Sequence, residues 1–139
     1  MKKHRASAVW NGSVKEGSGK ISTASKLFDG QPYSFKTRFG DGVGTNPDEL
    51  IAASHAGCFA MAFSLICGEN GFTPDSVNST AEVTMNPDKL QIESSHLTLK
   101  AKVPNLDQAK FEEIANAAKD NCPISKVLNC DISLEATLE

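Results

Sequence analysis

From Leu50 to Cys67 the chain carries no proline and no Asp, Glu, Lys or Arg, and that run constrains everything around it. Its approach is built like a helix start. Asn46 is placed to cap, Pro47 suits the first helical position, and Glu49 at the third completes a capping box. Asp48 and Glu49 also set negative charge at the positive end of the macrodipole. Asn70-Gly71, with Pro74 beyond, offers a stop. The pattern predicts a helix over residues 45–67. Apolar and small residues cover all its faces, so burial rather than amphipathicity is expected. Ser54, His55 and Ser64 interrupt it, and its unbroken apolar part is too short to span a bilayer.

Cys58 sits in the middle of this segment. At about 100° per residue, Ile51, Ser54, Met61, Ala62 and Leu65 share its sector and His55 lies at the edge. Ala53, Gly57, Ala60 and Ser64 form a separate seam of small residues. Such a seam lets another helix approach closely, because no long side chain holds the backbones apart. A buried inert thiol is the plainest reading of Cys58 taken alone.

A chain of 139 residues suits one domain with a sizeable core. The net charge of −3 and pI near 5.6 argue against a nucleic-acid binder, and no basic run opposes that. The opening MKKHRASAVW is basic but lacks an apolar region, so a secretory signal is not expected. Four cysteines without an export signal suggest a reducing compartment, with the cytoplasm as the default.

Taken in order, residues 4–10 and 18–25 read as strands separated by the Asn11-Gly12 turn. After Asp29-Gly30, residues 32–39 alternate Tyr33, Phe35 and Thr37 against Ser34, Lys36 and Arg38, predicting a third strand of an antiparallel meander. GDGVG at 40–44 lacks any phosphate-binding spacing and reads as a connector. Beyond the central helix, residues 77–85 alternate cleanly. In 90–103 the apolar positions change from even (Leu90, Ile92) to odd (Leu97, Leu99, Ala101, Val103). A side-chain period of two cannot absorb that change, so a bulge is expected near Ser94-Ser95-His96. An amphipathic helix over 106–120 stops before Pro123, and 127–139 reads as a last strand. The order βββ-α-ββ-α-β indicates a single α+β domain over residues 1–139.

Cys67 and Cys130 read as small hydrophobes. Cys122 differs, because it precedes Pro123 and can cap a further short turn that favours its thiolate. Cys58 is too far along its helix for the dipole to activate it, so a reactive Cys58 needs a cation; Arg5, Arg38 and His55 are the candidates. Two motifs then stand together about 65 residues apart: Thr45-Asn46-Pro47-Asp48-Glu49-Leu50 running on to His55 and Cys58, and Asn121-Cys122-Pro123-Ile124-Ser125. With Tyr33-Ser34-Phe35 and Thr37-Arg38-Phe39, they resemble the OsmC/Ohr family of thiol-dependent hydroperoxide reductases, and most closely its osmotically inducible branch. The likeness covers nearly the whole chain. One departure is Gly57, where the family commonly has alanine.

The resemblance implies antiparallel sheets wrapped around a buried central helix in an intertwined homodimer. It also implies a peroxidatic Cys58, a resolving Cys122, an activating Arg38 and a Glu49 that orients the arginine. No bound cofactor or metal is expected; the implied partners are an organic hydroperoxide, an external dithiol of lipoyl type and a second copy of the chain, with neither nucleic acid nor membrane. The chemistry suits these residues on its own terms. A free thiol is only a few per cent ionised at neutral pH. A guanidinium near the sulfur could lower its pKa by roughly two units, and a carboxylate would hold the fork. Three alternatives use the same residues: a zinc site shared by His55, Cys58 and Cys122, a thiol redox sensor without turnover, and a non-catalytic carrier of an apolar ligand.

Overall fold

Glycine-bearing turns cut the N-terminal third into short strands. The computed structural model describes residues 1–139, which divide into two compact units, Met1–Leu50 and Ile51–Glu139. In the first, β1 (Ala6–Asn11), β2 (Ser18–Thr23) and β3 (Gln31–Tyr33) form an antiparallel sheet in the order β1-β2-β3. Gly12 turns the chain with φ of 92°, a left-handed conformation that favours glycine. Gly19 serves a different need: Trp10 and Tyr33 pack with ring centroids 5.4 Å apart, and a Cβ on Gly19 would collide with both rings.

The third strand is shorter than its alternation predicts. It stops at Tyr33, and Phe35–Phe39 forms a short helix, α1. The cause is a local hydrogen-bond box. Ser34 Oγ accepts from the Thr37 amide at 3.3 Å, while the Ser34 amide donates to Thr37 Oγ1 at 2.9 Å. Two end groups are satisfied reciprocally, and that outweighs the strand propensity of the aromatic residues. Asn46 then starts the long helix α2 (Pro47–Glu69), its Oδ1 accepting from the Glu49 amide at 2.8 Å.

The second unit holds β4 (Ser76–Asn86), β5 (Gln91–Lys102) and β6 (Asp131–Leu138) in the order β4-β5-β6. β4 and β5 are antiparallel, but β6 runs parallel to β5. The all-antiparallel expectation fails here because α3 (Gln108–Asn121) and α4 (Pro123–Val127) lie between those strands, supplying the crossover that a parallel pair requires. The change of apolar phase does produce a bulge. Thr84 pairs with Ser94 and Met85 with Ile92, leaving Glu93 as the extra residue, one position before the expected stretch.

Past the bulge, Leu97, Leu99 and Ala101 of β5 turn to the core, where Phe111, Ile114, Ala115 and Ala118 of α3 meet them. Phe59, Phe63 and Cys67 of α2 complete it, Phe63 meeting Phe111 edge-on with centroids 5.7 Å apart.

α2 is not buried all round. Its buried residues are His55, Phe59, Phe63 and Cys67, a single stripe at every fourth position, whereas Met61 is 77% and Leu65 65% exposed. By length and mean hydropathy (23 residues, 1.8) the helix reaches what crossing a membrane requires, further than its broken apolar run suggested. Its packing says what it does here. One stripe is buried in the core, and the polar member of that stripe is fully bonded within the protein.

Candidate active site

Cys58 lies half-buried in the middle of α2, and Cys122 is buried where α3 meets α4. The Cys122 amide donates to the Ala118 carbonyl at 2.9 Å, closing α3, and its carbonyl accepts from the Lys126 amide at 3.1 Å, opening α4. Pro123 follows at the first helical position, so Cys122 is the N-cap of a short turn, as the sequence allows. Its side chain makes no cap hydrogen bond. Instead, Cys122 and the Ile124 backbone are the neighbours that act on the Cys58 sulfur. All four cysteines are free thiols. Burial, and after it the neighbouring Cys122, pushes the Cys58 thiol above its ordinary value; the Ile124 backbone pulls the other way.

Cys58 lines a groove of about 860 Å³ together with Ser54, Met61, Ala62, Leu65, Ile66 and Ile124 among others, while Cys122 is buried behind its Asn121 and Pro123. Most of the helical-wheel sector around Cys58 therefore faces one open, mainly apolar channel. Cys67 is fully buried, and burial raises its thiol pKa. Cys130, just before β6, is raised by burial and then by the neighbouring Asp131.

His55 is not the cation that Cys58 needs. It is fully buried, with Nδ1 2.7 Å from Ser95 Oγ and Nε2 2.8 Å from Ser125 Oγ. Burial lowers its pKa and favours the neutral ring. Both nitrogens are taken by hydroxyls, which leaves neither to ligate a metal.

Arg38 belongs to the N-terminal unit, on α1. Its fork is bidentate on Asp48: Nε donates to Oδ2 and Nη2 to Oδ1, each at 3.1 Å. The side chains are 34% and 14% exposed, so the pair is partly shielded from water. Asn46 braces it, donating from Nδ2 to the Thr37 carbonyl at 2.8 Å and so tying α1 to the start of α2. Trp10, Tyr33, Phe35 and Phe39 surround Arg38 in a hollow of about 240 Å³, with its guanidinium 5.4 Å from the Phe39 ring centre. Sequence reasoning read Asp48 only as a dipole partner. Its signal was the same first-turn position that drew attention to Glu49, one residue on. Arg5 is exposed ahead of β1, its carbonyl accepting from the Ala24 amide at 3.0 Å.

The family model described as OsmC-like protein matches residues 40–137. The chain is 43% identical over 137 residues to peroxiredoxin OsmC of Escherichia coli, covering 97% of this chain and 96% of that one. It is 34% identical over 95 residues to organic hydroperoxide resistance protein OhrB of Bacillus subtilis, covering 67% of this chain and 70% of the relative. In three dimensions it is similar to an OsmC-like protein from Mycoplasma pneumoniae with a TM-score of 0.75 at 17% identity, covering 99% and 97% of the two chains. The B. subtilis OhrB crystal structure gives 0.66 at 24% identity over 96% and 98%. On its sequence, its fold and its paired thiols, the chain belongs to the OsmC family.

Proposed function

We propose that this protein is a thiol-dependent peroxidase that reduces organic hydroperoxides to alcohols. The observation that carries this reading is the pair of neighbouring free thiols, Cys58 and Cys122, with Cys58 lining an apolar groove. The Cys58 thiolate attacks the O–O bond, the alkoxide leaves and takes up a proton, and Cys58 becomes a sulfenic acid. Cys122 then displaces water from that sulfur and forms a disulfide. Met61, Leu65 and Ile66 favour an organic chain over hydrogen peroxide. An external dithiol, of lipoyl type, returns the disulfide to thiols; no bound cofactor enters the cycle. The compartment we assign is the cytoplasm, which keeps thiols reduced.

A thiol held above its ordinary pKa is a poor nucleophile at neutral pH, so a cation must be brought to Cys58. We assign that task to Arg38. Asp48 engages two of its donors and leaves others free, and Glu49 is the further carboxylate assigned to orient it. Glu49 precedes Cys58 by nine residues, which in an unbroken helix is about 13.5 Å of rise and about 180° of rotation. A carboxylate so placed serves the site best from a second copy of the chain. The small-residue seam supports that assembly. A Cβ on Gly57 would meet nothing within 4 Å, and Ala53 and Ser64 are exposed, so a partner helix can lie close along it. The protein is accordingly an obligate homodimer with sites built from both copies.

The test is consumption of cumene hydroperoxide with dihydrolipoamide as reductant. Wild type should turn over and Cys58→Ser should not. Wild type that binds apolar ligands in the groove without consuming peroxide would replace the enzyme with a carrier.

A further inference from the structure

The buried polar side chains of this protein are His55, Ser95 and Ser125, and all three are spent in one network. Ser95 lies on the core-facing side of β5, two residues before Leu97, in a stripe that is otherwise apolar. His55 is three residues before Cys58 on α2. Ser125 is the third residue of α4. The imidazole thus bolts a turn to a sheet through a helix, at 2.7 and 2.8 Å. Packing alone does not call for this. An apolar trio would fill the same space without the cost of burying polar atoms. What directional bonds add is a fixed position.

The element so fixed is the one that brings the second sulfur. α4 has five residues and its N-cap side chain makes no cap bond, so it has little stability of its own. Yet Cys122 and the Ile124 backbone, the two neighbours that act on the Cys58 sulfur, both sit at its N-terminal end. We propose that His55 is a positioning residue for the thiol pair: by joining Ser95 on β5 to Ser125 on α4, it holds the Cys122 turn where Cys122 closes a disulfide onto Cys58. This rests on the peroxidase reading above.

The consequence is a partition. Once Cys58 is a sulfenic acid, attack by the Cys122 thiol gives the disulfide and releases water. A second hydroperoxide instead transfers an oxygen to Cys58, giving the sulfinic acid and an alcohol. The first route is intramolecular and depends steeply on where Cys122 stands; the second does not. A loosened α4 therefore diverts Cys58 toward the sulfinic acid.

The experiment exposes full-length wild type, Ser125→Ala and Phe63→Ala to a series of cumene hydroperoxide concentrations and reads the disulfide-to-sulfinic ratio by intact mass. Ser125→Ala should lower that ratio by about tenfold or more at equal peroxide. Phe63→Ala, which weakens the core without touching the network, should lower the melting temperature and leave the ratio unchanged. Should Ser125→Ala not fold, Ser95→Ala frees the other end of the imidazole and carries the same expectation. A ratio equal to wild type in the serine variant, or one shifted as far by Phe63→Ala, overturns the positioning role. Wild type that forms no disulfide at any concentration overturns the peroxidase reading instead.

Discussion

Cys58 is half-buried, and burial together with Cys122 keeps its thiol protonated more firmly than an exposed one. On the proposed role of Arg38, reaction at neutral pH depends on the charge it brings, and its loss should be felt first. Arg38→Met should slow oxidation of Cys58 by cumene hydroperoxide about a hundredfold at pH near 7, as two pKa units of lost thiolate imply, with recovery as the pH rises. A thiolate titration of Cys58 followed by ultraviolet absorbance checks this, and an unmoved titration would remove Arg38 from the role. His55 gives a pH dependence of another kind. Burial holds its folded pKa below the ordinary 6.5, so on acidification the unfolded chain takes up the proton first. The stability it supports is whole above about pH 6.5 and is lost as the pH falls toward the folded value. Urea midpoints should accordingly fall more between pH 7.5 and 5.5, in round numbers, for wild type than for His55→Gln. Equal slopes would mean that the ring titrates alike in both states.

The short helix α1 carries Arg38, and its start depends on the Ser34–Thr37 box. Ser34→Ala should cost about 1 kcal/mol and, by loosening Arg38, slow the first oxidation while leaving the Cys58–Cys122 disulfide yield intact. Stopped-flow oxidation beside a urea melt separates the two effects. This is also where the sequence was hardest to read. Alternation of Tyr33, Phe35 and Thr37 has the period of a strand, and only a serine followed three residues on by a hydroxyl signals the helix that forms. The bulge was legible because an even-to-odd change of apolar phase has no other remedy; its placement at Glu93 follows from where β4 resumes pairing. The direction of β6 was not legible, since alternation along a strand is the same read either way. Likewise α2 announced its length and caps but not which face is covered, because its apolar residues surround it evenly. The thiol pair was legible only through two motifs far apart in the chain, and the His55 network was not, because single serines on β5 and α4 carry no periodic signal.

At the scale of the molecule, the exposed faces of α2, with Met61 at 77% and Leu65 at 65%, are more apolar than a helix left in water. A second copy covering them is the proposal that also brings Glu49 to a site it cannot reach along its own helix. Co-expressing a Cys58→Ser protomer with a Glu49→Ala protomer should give heterodimers with one intact site of the two, recovering about half the wild-type activity per heterodimer, which neither parent shows. Inactive heterodimers from inactive parents would return Glu49 to its own chain or remove it from the chemistry. The central claim, that Cys58 and Cys122 form one redox pair, has a more direct test. Thiols are counted anaerobically before and after one equivalent of cumene hydroperoxide, and the linked peptides are then mapped. Two of the four thiols should disappear together, with Cys58 joined to Cys122 within one chain and Cys67 and Cys130 still free. An unchanged count, or a disulfide that leaves out either Cys58 or Cys122, would contradict the account.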